Sequence, residues 1–322
     1  YAYKHKKYDY RSFSDSIYGK TRHVMSNLYE ICYLIMIGTA SAAAFATGGS
    51  TITTLFGIPY WVSTVIVAAF IFVIALFGTE VVRKCASTLS VLIIIGLIVV
   101  LVPNIIAQWD SIVTSVGRMA GGEMTVLSSE SGAFGPALWS AVLYFFFQLA
   151  SVSVMYQQME EVTDVKQINK AAIWIFVCNF AAMELSIIGL LAVAHVAELA
   201  AASIPMLVLV QNGVGAGILT PVISILIILG AISTAVNMIS GIVTRCVNAM
   251  ERRMSSKEEK EKGHLARNAV FTLLFTFLAF GIAQFGLMAV VSKGYAYLGY
   301  AAFITLFIPF VVHALGTGMK EI

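Results

Sequence analysis

The sequence predicts an all-α polytopic membrane protein of about eight transmembrane helices. Three observations predict it. Apolar residues make up 59% of the 322 and charged residues 11%, against roughly 25% charged in a soluble domain, and mean hydropathy is +0.88. The apolar runs are continuous and long enough to cross a hydrocarbon core of about 30 Å, which takes about 20 helical residues. An outer-membrane barrel would instead alternate polar and apolar residues in strands of about ten. Finally, the basic residues are segregated to alternate connecting segments, as the positive-inside rule requires of an inner-membrane bundle.

Residues 1–23 carry Lys4, Lys6, Lys7, Arg11, Lys20 and Arg22 and are expected as a cytoplasmic loop. The first residue is Tyr, with no signal peptide after it, so a fragment lacking its upstream part is expected. The spans are predicted at 25–47, 58–79, 86–107, 135–157, 170–194, 217–246, 268–290 and 296–315. Each must be helical, because an unpaired backbone group in lipid costs several kcal/mol. With residues 1–23 inside, eighteen of the 20 Lys and Arg fall on inside segments, and Arg118 and Lys293 fall outside. Both termini are therefore expected in the cytoplasm, with 24–316 as a single helical bundle and 317–322 as a tail. The long outside loop, about 108–134, is rich in Gly and Ser, including Gly121, Gly122 and Gly132. Segment 195–216, with Ser203-Ile204-Pro205, predicts a short external helix, and Gly213, Gly215 and Gly217 a flexible entry to the sixth span. The charge run 251–264 is expected as a solvated extension of that span.

Ionisable and amide side chains are costly at bilayer depth and usually face the bundle interior, so function is sought there. In the sixth span Ser233, Asn237, Ser240 and Thr244 recur on one helical face, and Thr234 adds a hydroxyl beside Ser233. Adjacent hydroxyls can offer hard oxygen ligands to a small cation; interhelical hydrogen bonding explains the same spacing. In the fourth span Tyr144, Gln148 and Ser151 share a face, Ser153 follows, and the stretch is read equally as a regular helix or as a local unwinding. Glu184, central in the fifth span with Asn179 near it, is a proton relay or a structural hydrogen-bonding group. Glu30, near the inner end of the first span, is expected to snorkel or to pair with a basic residue. The small residues around Thr39 predict a tight packing face or direct solute contact. Pro309 is expected to kink the eighth span. Cys32, Cys85, Cys178 and Cys246 show neither an extracellular disulfide pattern nor metal-ligand spacing. No phosphate loop, metalloprotease motif or nucleophile elbow occurs, and no acid–base pair can be assembled, so an enzyme is not predicted.

The segments GIPYWVSTVIVAAF (57–70), GPALWSAVLYFFFQLASVSVM (135–155), EEVTDVKQINKA (160–171), SIPMLVLV (203–210) and GAISTAVNMISGIVTRC (230–246) resemble the YkvI-type bacterial membrane proteins of the amino acid–polyamine–organocation transporter superfamily. The resemblance covers nearly the whole chain. It implies a LeuT fold of two inverted five-helix repeats with a solute site at the midplane, the eight spans matching helices three to ten and the first two helices missing. It implies residence in the bacterial cell membrane and secondary active transport of a small solute, an amino acid or related amine, driven by a sodium or proton gradient. Thr39, Gln148, Ser151 and Asn237 would then serve the solute site, Ser233 and Thr234 would bind sodium, and Glu184 would be the candidate relay. No cofactor beyond that ion and no nucleic-acid partner is expected; the partners are the solute and membrane lipid. The fourth span lacks the glycine that often marks the helix break in relatives. The same fold also serves receptors of the germinant type, which bind a solute without net flux, and this is the alternative reading.

Overall fold

The computed structural model describes residues 1–7, 10–77, 79–121, 134–152, 155, 159, 162–196, 198–251, 254 and 257–318. The expectations placed on Gly122, Gly132, Ser153 and most of the tail 317–322 lie outside the described residues, as does the side chain of Cys85. The described residues contain helices and no strand, and eight helices are long and apolar enough to cross a membrane. We number the helices α1 (Tyr10–Tyr18), α2 (Arg22–Phe56), α3 (Tyr60–Phe77), α4 (Thr79–Ala107), α5 (Trp109–Ala120), α6 (Phe134–Ser151), α7 (Val165–Leu191), α8 (Pro205–Gln211), α9 (Ala216–Glu251), α10 (Lys257–Ala283) and α11 (Leu287–Gly316).

Several boundaries differ from the sequence reading. The first span, expected to end at 47, runs to Phe56, and residues 109–120 of the expected outside loop form α5. Segment 1–23, expected as a loop, is largely helical and runs through one 3₁₀ turn into α2. The fourth span is described as helix to Ser151, and the Met155 N–H donates to the Val152 carbonyl at 2.9 Å; the end expected near 157 lies outside the described residues. The seventh span ends at Ala283, not 290, because Gly286 adopts a positive φ of 87° that reverses the chain; only glycine takes that conformation without steric cost. Lys293, expected in an outside loop, therefore lies inside α11. A similar reversal at Gly57, φ 65°, ends α2, with the Gly57 N–H donating to the Thr53 carbonyl at 2.9 Å.

The chain divides into two compact units. Unit 1 comprises Tyr1–Thr39, Phe134–Ile175 and Ala289–Ile322; unit 2 comprises Ala40–Ala133 and Phe176–Met288.

In unit 1, α6 packs along α11. Gly299 permits the approach: a Cβ there would lie 2.6 Å from the Leu143 carbonyl oxygen. Phe147 stacks on Tyr295 at a centroid distance of 3.9 Å, and Phe146 meets Phe303 and Phe307. Helix α11 contains two π-helical segments, Val290–Gly294 and Phe303–Phe307. The second precedes Pro309, which has no N–H to donate to the Thr305 carbonyl and whose ring would crowd it. That carbonyl instead accepts the hydroxyl of buried Tyr18. The expected disturbance at Pro309 is thus a π segment whose freed acceptor α1 satisfies. Glu30 pairs with Arg11 at 2.9 Å, as expected of a carboxylate near a span end, and Arg11 also reaches Asp15 and Asn27.

Unit 2 is built around α9, which packs against α3, α4, α8 and α10. Its buried positions Ile232, Ala235, Val236, Ile239, Ile242 and Val243 repeat at helical spacing and form one apolar stripe. Gly96 on α4 makes room for Leu226, whose Cδ1 would lie 2.3 Å from an added Cβ. The helix is 36 residues long, about 54 Å at the α-helical rise. It therefore outlasts the hydrocarbon core of about 30 Å. The charge run 251–264, expected as its extension, is not one: only Glu251 belongs to α9, and Lys257–His264 forms the start of α10. Glu251 accepts hydrogen bonds from Arg267 and contacts His264 on α10. The short helix expected in 195–216 is α8, with Leu207, Val208, Leu209 and Val210 buried.

Candidate functional site

The residues singled out for solute and ion binding fall into two sets, each held by its own unit. Unit 1 carries Thr39, Gln148 and Ser151; unit 2 carries Glu184, Ser233, Thr234 and Asn237.

On α6, Tyr144, Gln148 and Ser151 form one ladder. The Gln148 amide donates to the Tyr144 hydroxyl at 2.7 Å, and the Ser151 hydroxyl donates to the Gln148 carbonyl at 2.7 Å. Gln148 and Tyr144 are exposed. The amide keeps its carbonyl oxygen and one N–H for an outside partner. The ladder ends at Ser151, the last residue of α6. Thr39 behaves differently. It is buried, and a Cβ at Gly294 would lie 2.7 Å from its methyl carbon, so it packs α2 against α11. Of the two readings of Thr39, this contact carries out the packing one.

On α9 the polar stripe lies on the face the apolar stripe leaves open. Thr234, Asn237 and Thr244 are exposed, and Ser233 and Ser240 are half-buried. The Thr234 hydroxyl donates its one hydrogen to the Gly230 carbonyl at 2.9 Å, which leaves its oxygen lone pairs directed elsewhere and able to accept a donor or a cation. The Ser240 hydroxyl oxygen is buried with no hydrogen-bond partner. In the middle of an otherwise apolar helix, this face offers oxygen ligands and one amide.

Glu184 is not brought to this face by burial. It is exposed on α7, contrary to the expectation that it faces a bundle interior.

Sequence reasoning missed Asn104. It sits on α4 one residue after Pro103 and is fully buried. Its amide donates to the Val100 carbonyl at 2.7 Å, and its side-chain oxygen accepts the Val214 N–H at 2.8 Å and the Gln108 amide at 3.3 Å. Gly213 has to be glycine here: a Cβ would lie 1.8 Å from that oxygen. The glycine pattern read as a flexible entry to α9 is, at Gly213, a close contact that fixes the end of α8 to α4. The sequence signal available was an amide in an apolar run beside a proline. A second polar group, at the α3 and α10 ends, joins Gln284 to Thr64 at 3.1 Å and Tyr60 to the Ala283 carbonyl at 2.7 Å.

Two cavities are lined by none of these residues. One in unit 1, of about 450 Å³, is lined by Tyr3, Phe13, Phe145, Leu149, Met155 and Phe310 among others. One in unit 2, of about 230 Å³, lies between α3 and α10. Both linings are almost wholly apolar, which suits hydrocarbon better than a charged solute.

No protein-family model matches this chain, and no curated protein matches it.

Proposed function

We propose that the protein is a secondary transporter of a small polar solute such as an amino acid or related amine, coupled to an ion gradient. The observation that carries the reading is the open polar stripe of α9. Thr234 and Asn237 stand exposed and Ser233 half-buried in the middle of a helix whose other face is packed with apolar side chains. A helix with this division, in an environment that punishes unpaired polar groups, keeps hydroxyls and an amide at bilayer depth for something they bind. In this reading Ser233 and Thr234 supply oxygens to sodium. Asn237, on the same face of α9, supports the solute; the Gln148 amide edge and the Ser151 hydroxyl of α6 are a separate polar set within unit 1. The bacterial cell membrane, with both termini in the cytoplasm, is part of the same proposal and rests on the distribution of Lys and Arg.

The test is uptake and binding of radiolabelled amino acids by the chain in proteoliposomes, as a function of sodium. The Ser233→Ala, Thr234→Ala double variant is expected to raise the half-saturating sodium concentration about tenfold, the loss of two oxygen ligands being worth about 1.4 kcal/mol on this scale. An unchanged sodium dependence removes the cation assignment. Solute-induced stabilisation with no uptake replaces the transporter by a receptor.

A further inference from the structure

Several threonines in the long helices donate their hydroxyl hydrogen to the carbonyl four residues back. Thr47, Thr51, Thr54, Thr234 and Thr305 all do so, at 2.8 to 2.9 Å. Thr276 on α10 does not. It is only 6% exposed, and its hydroxyl oxygen is buried with no hydrogen-bond partner. One turn earlier, Thr272 is served by the Asn268 side chain at 3.4 Å. A buried hydroxyl left without its bond costs stability, and at bilayer depth no bulk water stands in for the missing partner.

Thr276 lines the cavity of about 230 Å³ between α3 and α10, and every residue of that lining belongs to unit 2. The α3 wall includes the small residues Ala68 and Ala69. Three phenylalanines, Phe72, Phe277 and Phe280, supply most of the remaining surface. The two helices are tied at one end, where the Tyr60 hydroxyl donates to the Ala283 carbonyl and the Gln284 amide to Thr64. Tyr60 and Trp61 stand at that end, the aromatic pair expected at a membrane interface. Thr276 lies two turns before Ala283, about 10 Å along the helix, and so within hydrocarbon. Acyl tails carry no hydrogen-bonding atom, and lipid head groups stay in the interfacial layer. The occupant that fits is therefore dissolved in the membrane, uncharged, flat enough to lie against phenyl rings, and equipped with an acceptor for one hydroxyl. Such a pairing of apolar walls with one placed polar group is how small-molecule sites fix orientation. A quinone ring meets each condition, since its carbonyls accept hydrogen bonds and it has no donor of its own to satisfy.

We propose that the α3–α10 cavity is a binding site for a quinone-class ring, with one ring carbonyl accepting the Thr276 hydroxyl hydrogen and the ring lying among Phe72, Phe277 and Phe280. The site shares no residue with the polar stripe of α9, so this goes beyond the transport reading and stands without it.

The experiment uses the full chain in phosphatidylcholine nanodiscs and measures equilibrium binding of tritiated dimethylnaphthoquinone, chosen because both quinone-ring carbons next to the carbonyls are methylated and closed to thiols. Dimethylnaphthalene, the same carbon skeleton without carbonyls, is the comparison ligand. The native chain is expected to bind the quinone saturably and about tenfold more tightly than dimethylnaphthalene. Thr276→Val keeps the side-chain shape and removes the hydroxyl. It is expected to erase the tenfold preference while leaving Tm at or above the native value, because the unpaired buried hydroxyl is removed with it. Thr276→Ser is expected to keep the preference. Ala68→Leu, which fills the cavity, is expected to abolish saturable binding of both compounds. Should Ala68→Leu fail to fold, photolabelling of the native chain with an azido derivative of the quinone reads the same site, with adducts expected at Phe72, Phe277 or Phe280. No saturable binding by the native chain, a preference unchanged in Thr276→Val, or adducts only outside α3 and α10 would each overturn the proposal.

Discussion

Asn104 and Glu184 are both polar side chains on long apolar helices, and the tertiary structure treats them in opposite ways. Asn104 is fully buried, and its amide makes one donated and two accepted hydrogen bonds. Glu184 is exposed on a helix whose membrane-length stretch buries nothing within the chain. The difference teaches that a polar residue in an apolar run has no single meaning. At Asn104 the group ties α4 to the α8–α9 connection. At Glu184 and, on α9, at Thr234 and Asn237 the polar side chain stands on an exposed face.

Substitutions should separate the two cases by the size of their effect on the detergent-solubilised chain. The largest loss is expected for Gly213→Ala. An added methyl 1.8 Å from the Asn104 oxygen has to displace α8 or break the buried amide's bonds, and overpacking of this kind costs about 3 kcal/mol. Thermal unfolding followed by size-exclusion fluorescence would show it as a clear fall in Tm, and a Tm equal to wild type would mean that Asn104 does not fix this connection. An intermediate loss of about 1–2 kcal/mol is expected for Tyr18→Phe, which strands the Thr305 carbonyl that Pro309 cannot serve. The same unfolding assay checks it, and a neutral result would mean that the π segment satisfies its own carbonyl. The smallest effect is expected for Glu184→Leu in detergent. An exposed position without partners changes stability within about 0.5 kcal/mol. A large loss there would erase the contrast with Asn104 and show that Glu184 holds the monomer together.

Much of the scaffold was legible in the residues. The eight apolar runs correspond to the eight membrane-length helices, and the short helix around Pro205 and the pairing of Glu30 with a basic residue were both readable from composition and position. The errors have particular causes. The α10–α11 reversal was placed at Lys293 because a charge looks like a loop, whereas the backbone turns at Gly286, whose neighbours are apolar. The burial of Thr39 was not readable either, because it comes from Gly294, far away in the chain. The polar stripe of α9 was recognisable as one face from its spacing, yet spacing does not say which face of a helix is packed.

What the sequence by itself determined is the count of membrane-length helices, because the free energy of an unpaired backbone in lipid leaves helix as the only form for an apolar run of about 20 residues. It also determined which polar residues share a helical face, since 3.6 residues per turn follows from local geometry alone. Only the tertiary structure decided which of those faces is covered. Lipid and packed protein interior are equally apolar solvents for Leu, Val or Phe. The choice between them rests on close approaches such as Gly299 over Leu143 and Gly213 under Asn104, which depend on residues that meet only after folding.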